Sequence, residues 1–176
     1  QADIESCKAP SPIELLNSPN LEPKIISVCS QLPKFVAERQ IASALLALEK
    51  KGLRCRNYTV SFETSLSPGS SILIYAASDF GPFIGGDSIG ELGKRAEAIG
   101  IEATDRFLES TLAHVSVDPY LADMLVLPLA LTKGRSKYRV VRTTEHLRTN
   151  LHVTSLITGC KFVLEQNNGY VVTIGD

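Results

Sequence analysis

Hydrophobic and polar residues recur with two different periods along this chain, which predicts a mixture of strands and helices. Short apolar runs rich in β-branched and aromatic residues predict strands at 25–28, 58–62 and 72–75. In 58–62 the apolar residues alternate with polar ones, so this strand should bury one face. Apolar residues three and four positions apart predict helices at 33–52 and 91–110. The resulting order, strand, helix, strand, strand, helix, describes one small α/β unit.

After Val117 the pattern changes and predicts helix, strand, helix, strand, strand. Asp118 followed by Pro119 starts the first of these helices, because aspartate caps free N–H groups and the fixed φ of proline suits a first turn. Nearly every following residue is apolar until Gly134, so this helix should be buried on most sides. Asp123 lies inside it and either reaches solvent or a backbone N–H, or serves chemistry; the pattern leaves these alternatives open.

A basic segment follows that helix. Six of the residues from 133 to 148 are Lys or Arg and one is an acid, although the formal net charge of the whole chain is −1. A local positive charge suits phosphates, which makes Arg139 and Arg142 candidate phosphate ligands. A solvated edge strand, where lysine discourages aggregation, explains the same charge and is favoured by charge alone.

A histidine framed by hydroxyl and amide side chains lies near the end of the basic segment. Thr144 and His146 should share one face of a strand, and Thr149 or Asn150 should cap the next helix, at 151–157. His146 would then lie beside a helix N-terminus, where anions bind. A lone histidine is more often structural than catalytic, and the pattern alone does not decide between the two.

Two further stretches have local signatures. Residues 80–87, FGPFIGGD, could cradle phosphate through backbone N–H groups, but they fit neither the dinucleotide-binding pattern nor the Walker A pattern. A flexible connection or an RNA-facing loop is therefore the favoured prediction. Asn168-Gly169 is a turn of the kind that joins two strands of a hairpin, here 161–165 and 170–174.

Composition is that of an ordinary globular protein, since 44% of the 176 residues are hydrophobic and 21% are charged. No apolar run approaches the roughly 20 residues of a membrane span and no signal-peptide pattern is visible, which predicts a cytoplasmic location, or a nuclear one in a eukaryote. Dispersed cysteines without zinc-site spacing predict free thiols and no metal site. They are Cys7, Cys29, Cys55 and Cys160.

Several motifs occur in one order along the chain. SPGSS at 67–71 leads into an apolar strand, and GGDSIGELGKRAE follows at 85–97. YLAD at 120–123 comes next, with PLAL at 128–131, and then TxHLxTN at 144–150. One of these motifs alone would be weak, but together they resemble the C-terminal part of the RNA 3'-terminal phosphate cyclases. The likeness covers most of the chain.

This resemblance implies an α/β, or more broadly α+β, fold in two parts. Residues 13–116 would form the small βαββα domain that is inserted in the cyclases. Residues 117–176 would form a βαβαββ-type repeat of the catalytic domain, the C-terminal repeat that carries the nucleophile. Residues 1–12 would be the end of a preceding repeat, with its closing strand at 2–5, and a linker. The chain would then be the C-terminal portion of a longer protein, whose N-terminal part also holds ATP and RNA.

The resemblance also implies a reaction. Cyclases of this family use a histidine as nucleophile on the α-phosphate of ATP, which leaves AMP on the imidazole. The AMP passes to an RNA 3'-phosphate, and the neighbouring 2'-hydroxyl displaces it to give a 2',3'-cyclic phosphate. His146 matches the adenylated histidine, and Asp123 matches an orienting or metal-assisting carboxylate near it. The residues that match the nucleotide site are Pro119, Tyr120, Leu121, Ala122 and Asp123.

Partners follow from the same resemblance. They are ATP, a divalent Mg or Mn ion, and an RNA with a 3'-phosphate end, while a homodimer stays open. Met124 stands where the family usually has glutamine, which changes a contact near the nucleotide but not the nucleophile. Cyclase-like proteins that lack the histidine serve as non-catalytic scaffolds in ribosome assembly, and an RNA-binding module without chemistry is a third interpretation. The complete TxHLxTN frame around His146 favours the enzyme.

Overall fold

The computed structural model describes residues 10–16, 22–78 and 83–176, which contain eight strands and five helices. The strands are β1 (Glu14–Leu15), β2 (Lys24–Ser30), β3 (Asn57–Phe62), β4 (Gly69–Ala77), β5 (Phe83–Ile89), β6 (Ser136–Val140), β7 (Phe162–Gln166) and β8 (Tyr170–Ile174). The helices are α1 (Phe35–Glu49), α2 (Ala96–Leu112), α3 (Pro119–Met124), α4 (Val126–Ala130) and α5 (Glu145–Thr158). Two four-stranded mixed sheets with their helices confirm the predicted α+β class. The predicted strand at 2–5 lies outside the described residues.

The first sheet has the strand order β3-β2-β4-β5. β2 pairs parallel with β3 and antiparallel with β4, and β4 pairs antiparallel with β5. β2 and β5 therefore run in the same direction, and the helices that follow them, α1 and α2, pack against each other on one face of the sheet. Their apolar sides form the first core with that face, including Ile25, Leu48, Ile74 and Phe107.

The fourth strand of this sheet corrects the prediction of a connection at 80–87. Within that stretch, residues 83–87 belong to strand β5, and residues 80–82 lie outside the described residues. Gly85 and Gly86 interrupt the apolar alternation that identifies a strand, so they concealed it. A Cβ on Gly86 would lie 2.3 Å from the backbone nitrogen of Phe107. Gly86 is therefore needed where α2 packs closely on the strand.

Two other elements of this half differ from the prediction. β3 was expected to bury one face, but Tyr58 is 56% and Phe62 51% exposed, because β3 is an edge strand that the helices scarcely cover. α2 begins at Ala96, after its predicted start, and Leu92 is fully exposed. Gly93 has φ +83°, in the left-handed region, so it cannot continue a helix through this stretch.

The second sheet has the strand order β1-β6-β8-β7, with β1 parallel to β6 and the other pairs antiparallel. In chain order, this second unit consists of β1, the helices α3 and α4, β6, α5, β7 and β8. The first sheet and its two helices are inserted in the chain between β1 and α3. The predicted domain limits at 12 and 116 stay predictions. Asn168 and Gly169 both have positive φ and join β7 to β8, which confirms the predicted hairpin turn.

The predicted long apolar helix is wrong, because two short helices, α3 and α4, meet at Leu125. Pro128 explains the break, since it has no N–H for the carbonyl four residues earlier and its ring crowds that carbonyl. Burial on most sides is also wrong: Met124 is 73% and Leu127 57% exposed. The inner sides of α3, α4 and α5 form a second core with β6 and β8. None of the described helices is both long and apolar enough to cross a membrane.

Candidate active site

Helix α3 is fixed at its N-terminus by Asp118, which confirms the predicted cap. One carboxylate oxygen of Asp118 accepts hydrogen bonds from the backbone N–H groups of Tyr120 and Leu121, both at 2.9 Å. The other oxygen accepts a hydrogen bond of 3.0 Å from the backbone N–H of Gly85 in β5. Asp118 therefore ties the helix that carries the predicted nucleotide residues to the edge strand of the first sheet.

The later part of α3 is held from the core side by Tyr138 of β6. This side chain is fully buried, and its hydroxyl donates a hydrogen bond of 2.7 Å to the carbonyl oxygen of Ala122. Burial, with a smaller effect of the nearby Asp123 carboxylate, raises the pKa of Tyr138. The phenol stays protonated at physiological pH and keeps donating. This contact fixes the peptide group that precedes Asp123.

Helix α5 begins at Glu145, earlier than predicted. Thr144 is its N-cap, and the Thr144 hydroxyl accepts a hydrogen bond of 3.0 Å from the backbone N–H of Leu147. The prediction of a strand through His146 and a helix from 151 is therefore wrong. A threonine followed by an acid is itself a helix-start signal, which the β-branched run before it obscured. His146 lies in the first turn of α5 and is exposed.

Asn150 links α5 to α3. Its side-chain amide donates a hydrogen bond to a carboxylate oxygen of the half-buried Asp123. Asn150 follows His146 by four residues on one helix, so their side chains lie on the same face, one turn apart. We call the site formed by Asp123, His146 and Asn150 the α3–α5 junction. From the sequence, Asn150 was a candidate helix cap and a member of the TxHLxTN motif, and an earlier helix start would have placed it on the same helix face as His146.

The other predicted nucleotide residues differ in what they expose. Tyr120 is 56% exposed, and Leu121 is half-buried. Pro119 and Ala122 are buried, so their side chains shape α3 from inside. Tyr120 and Asp123 are therefore the side chains of this group that most readily reach a ligand.

The basic segment does not form a single surface. Tyr138 faces α3, so strand alternation directs its neighbour Arg139 to the opposite face of the second sheet. The Arg139 Nε is buried and has no hydrogen-bond partner among the described residues. Arg142 forms an ion pair with Glu109 of α2, with 2.6 Å between Nε and the carboxylate. That Arg139 and Arg142 contribute to phosphate binding stays a prediction. The interpretation of β6 as an edge strand is wrong, since β6 pairs on both sides.

Arg148 is placed differently from these two arginines. Its Nε donates a hydrogen bond of 3.1 Å to the hydroxyl of Thr143, which precedes α5. The guanidinium therefore lies at the N-terminal end of the helix that carries His146. It adds positive charge to the positive end of the helix dipole there.

Metal-ligating clusters and reactive thiols find little support among the described residues. The described residues contain no group of three or more His, Cys, Asp or Glu that could hold a metal ion. Cys29, Cys55 and Cys160 are free cysteines, while Cys7 lies outside the described residues. Burial raises the pKa of the Cys29 and Cys55 thiols, whereas reactive cysteines have a lowered pKa.

Comparison with known proteins identifies the first sheet and its helices. The sequence profile described as RNA 3'-terminal phosphate cyclase (RTC), insert domain, matches residues 22–112. An RNA 3'-terminal phosphate cyclase of Pyrobaculum neutrophilum is 40% identical over 141 residues, covering 80% of this chain and 41% of the relative. That of Pyrobaculum aerophilum is 40% identical over 150 residues, covering 85% and 43%. That of Methanopyrus kandleri is 31% identical over 180 residues, covering 99% and 51%.

The fold defines a class of α+β proteins in which a βαβαββ unit is interrupted by a second sheet with two helices. The insert-domain profile matches that interrupting part, which makes up half of the chain. The chain belongs to the RNA 3'-terminal phosphate cyclase family. It spans about half the length of the curated relatives it matches.

Proposed function

We propose that the α3–α5 junction is the nucleotidyl-transfer site of an RNA 3'-terminal phosphate cyclase. Its substrates are ATP and an RNA with a 3'-phosphate end, and its product is a 2',3'-cyclic phosphate. The observation that carries the proposal is the exposed His146 in the first turn of α5, one turn from the Asn150 that binds Asp123. The names of the relatives, RNA 3'-terminal phosphate cyclase, support an RNA 3'-phosphate as the substrate.

The first step uses the imidazole of His146 as a nucleophile. A ring nitrogen attacks the α-phosphorus of ATP, a P–N bond forms, and the bond to the β-phosphate breaks, so pyrophosphate leaves. Phosphoryl-type transfer requires mainly positioning and neutralisation of charge. The N-terminus of α5 and the guanidinium of Arg148 are both favourable to a phosphate at that position.

The following steps release the histidine and close the cyclic phosphate. An oxygen of the RNA 3'-phosphate attacks the same phosphorus, the P–N bond breaks, and AMP is transferred to the RNA. The neighbouring 2'-hydroxyl then attacks the phosphorus of the RNA 3'-phosphate. The bond to AMP breaks, AMP leaves, and the hydroxyl proton is lost to a base or to water.

Asp123 is the acid at this site that fits a divalent ion. Carboxylate oxygens suit Mg²⁺ or Mn²⁺, which commonly take their other ligands from phosphate and water. One Asp123 oxygen binds Asn150, and no described residue donates to the other. Asp123 would hold the ion, which would neutralise charge on the phosphates.

Self-adenylation tests the proposal directly. Full-length protein containing this chain is incubated with α-labelled ATP and Mg²⁺ or Mn²⁺, and the protein-bound label is tested in acid and base. We expect an acid-labile, base-stable label, which is the behaviour of a P–N bond, and its loss in His146→Ala. His152→Ala is the matched control, because His152 is also exposed and lies on the same helix. No label on the unaltered protein, or a label that survives in His146→Ala, would overturn the proposal.

A further inference from the structure

The first sheet has an apolar face that α1 and α2 do not cover. Side chains alternate along each strand, so those of the first core point to the helices and those of the apolar face point to the other side of the sheet. Exposed members of this face are Leu73 at 38%, Phe83 at 51% and Ile89 at 66%. Tyr75 shares the face, and the Lys24 ammonium nitrogen lies 6.0 Å from the centroid of its ring. The neighbouring strands β4 and β5 thus present apolar and aromatic groups side by side.

One end of this face continues into a cleft of about 290 Å³ against helix α3. Leu73, Tyr75 and Phe83 line its sheet side, and Tyr120 and Met124 line its helix side. We call this space the sheet–helix cleft. It lies between the part of the chain that matches the insert domain and the helix that carries Asp123.

Two contacts hold the walls of the sheet–helix cleft together. The backbone N–H of Gly85 donates a hydrogen bond of 3.0 Å to Asp118, whose side chain is buried at 8% exposure. Phe83 and Val117 form an isolated parallel bridge beside it. The same carboxylate also caps α3, so the sheet and the helix share one anchor. The cleft is therefore formed before any ligand enters.

The lining suits a flat, uncharged, aromatic group. Tyr75, Phe83 and Tyr120 provide three aromatic rings, and unpaired nucleobases stack on such rings with little regard to sequence. Asp87 and Asp118 line the cleft, and the Lys24 ammonium group lies beside Tyr75, so the cleft has no net positive charge to attract a cluster of phosphates. Stacking, and not phosphate contact, is the interaction that this surface favours.

We propose that the sheet–helix cleft binds the base of an unpaired nucleotide close to the 3' end of the RNA substrate. The inference rests on the proposed function, because it needs the 3'-phosphate at the α3–α5 junction. Tyr120 and Asp123 are three residues apart on α3 and hence neighbours on its surface. An RNA strand whose 3'-phosphate lies at Asp123 therefore passes the cleft. A base-paired end, whose bases are already stacked in a duplex, does not fit this mode of binding.

Phe83→Ala and Ile89→Ala form the matched pair for the test. Both residues lie on β5, on the same face, and both are more than half exposed, but only Phe83 lines the cleft. Full-length protein containing this chain is titrated with a fluorescent single-stranded RNA that ends in a 3'-phosphate, without ATP. Self-adenylation with ATP is measured separately on the same proteins.

We expect Phe83→Ala to raise the Kd for the single-stranded RNA on the order of tenfold, the usual effect of losing one stacking partner. Phe83→Leu should do the same, whereas Phe83→Trp should restore binding, since the aromatic ring and not bulk is required. Ile89→Ala should bind as the unaltered protein does. Self-adenylation and its dependence on ATP concentration should stay the same in all four variants.

Three results would overturn the inference. The first is an RNA Kd that does not change in Phe83→Ala, and the second is an equal loss in Ile89→Ala, which would indicate a general apolar effect. The third is a higher ATP requirement for self-adenylation in Phe83→Ala with an unchanged RNA Kd, which would place the adenine of ATP in the cleft. A protein that binds RNA through Phe83 yet never becomes adenylated would refute the proposed function and leave the cleft standing.

Discussion

Replacing Tyr138 with phenylalanine should lower the free energy of unfolding by about 1–3 kcal/mol. The side chain is fully buried, and its hydroxyl lies 2.7 Å from the carbonyl oxygen of Ala122. Phenylalanine keeps the ring, so the packing of the second core is unchanged and one hydrogen bond is lost. The bond itself contributes about 0.5–1.5 kcal/mol, and the buried carbonyl left without a partner adds the remainder.

Urea unfolding followed by circular dichroism measures this loss. Tyr120→Phe is the control, because Tyr120 is 56% exposed and its hydroxyl donates no hydrogen bond to a described residue; its effect should stay within about 0.5 kcal/mol. Amide hydrogen exchange in α3 should also become faster in Tyr138→Phe. Equal unfolding free energies for the two variants would show that the hydroxyl does not hold α3.

The pH dependence of stability gives a second test of the same contact. An unfolded tyrosine ionises near a pKa of about 10, and burial raises the pKa of Tyr138 above that in the folded protein. Its contribution is therefore complete below pH of about 10 and is lost as the pH rises through the folded pKa, because the unfolded chain ionises first. Tyr138→Phe should reduce the fall in urea midpoint at alkaline pH. An identical fall in both proteins would contradict this.

Three further predictions concern other contacts. Gly86→Ala should destabilise the first core by about 3 kcal/mol through overpacking against the α2 backbone, whereas Gly69→Ala, with nothing within 4 Å of its Cβ, should unfold much as the unaltered protein does. Arg39 donates hydrogen bonds to Glu97 and lowers the pKa of that carboxyl to about 2. The contribution of this pair to stability is therefore present above the usual pKa of 4.5 and is lost as the pH falls toward 2. The melting temperature of Glu97→Gln should lack this part of the dependence on acid pH. Asn150→Ala should slow self-adenylation on the order of tenfold, because the Asp123 carboxylate loses the amide that positions it, while the urea midpoint should not change. A normal rate of self-adenylation would show that the Asn150 amide has no positioning role.

Local signals predicted the parts of the fold that depend on neighbouring residues. Asp118 before Pro119 was recognised as a helix start, and the structure shows both hydrogen bonds of the cap. Asn168 and Gly169 were recognised as a hairpin turn, because such a turn needs positive φ at two successive positions and few other pairs of residues adopt it. The α1 helix and the strands β2 and β4 follow from clear periodicity and end close to their predicted limits.

Features that depend on distant parts of the chain were not predictable in this way. Glycines at 85 and 86 removed the apolar alternation of β5, and Gly86 is required by close packing against α2, which lies later in the chain. β1 has two residues and pairs with β6, far away in sequence, so no local pattern could assign it to the second sheet. The contact between Asn150 and Asp123 joins two helices whose relative placement the sequence alone does not give. The candidate nucleophile was found by resemblance to a family motif, while its support by Asn150 required the structure.

Mapping the adenylated residue shows whether His146 is the nucleophile. Full-length protein containing this chain is incubated with ATP and a divalent ion, digested without acid, and analysed by tandem mass spectrometry for peptides that carry AMP. We expect the adduct on His146, at the start of α5 and one turn from Asn150. An adduct on a lysine or on His152, or an active cyclase in which His146 carries no AMP, would contradict it.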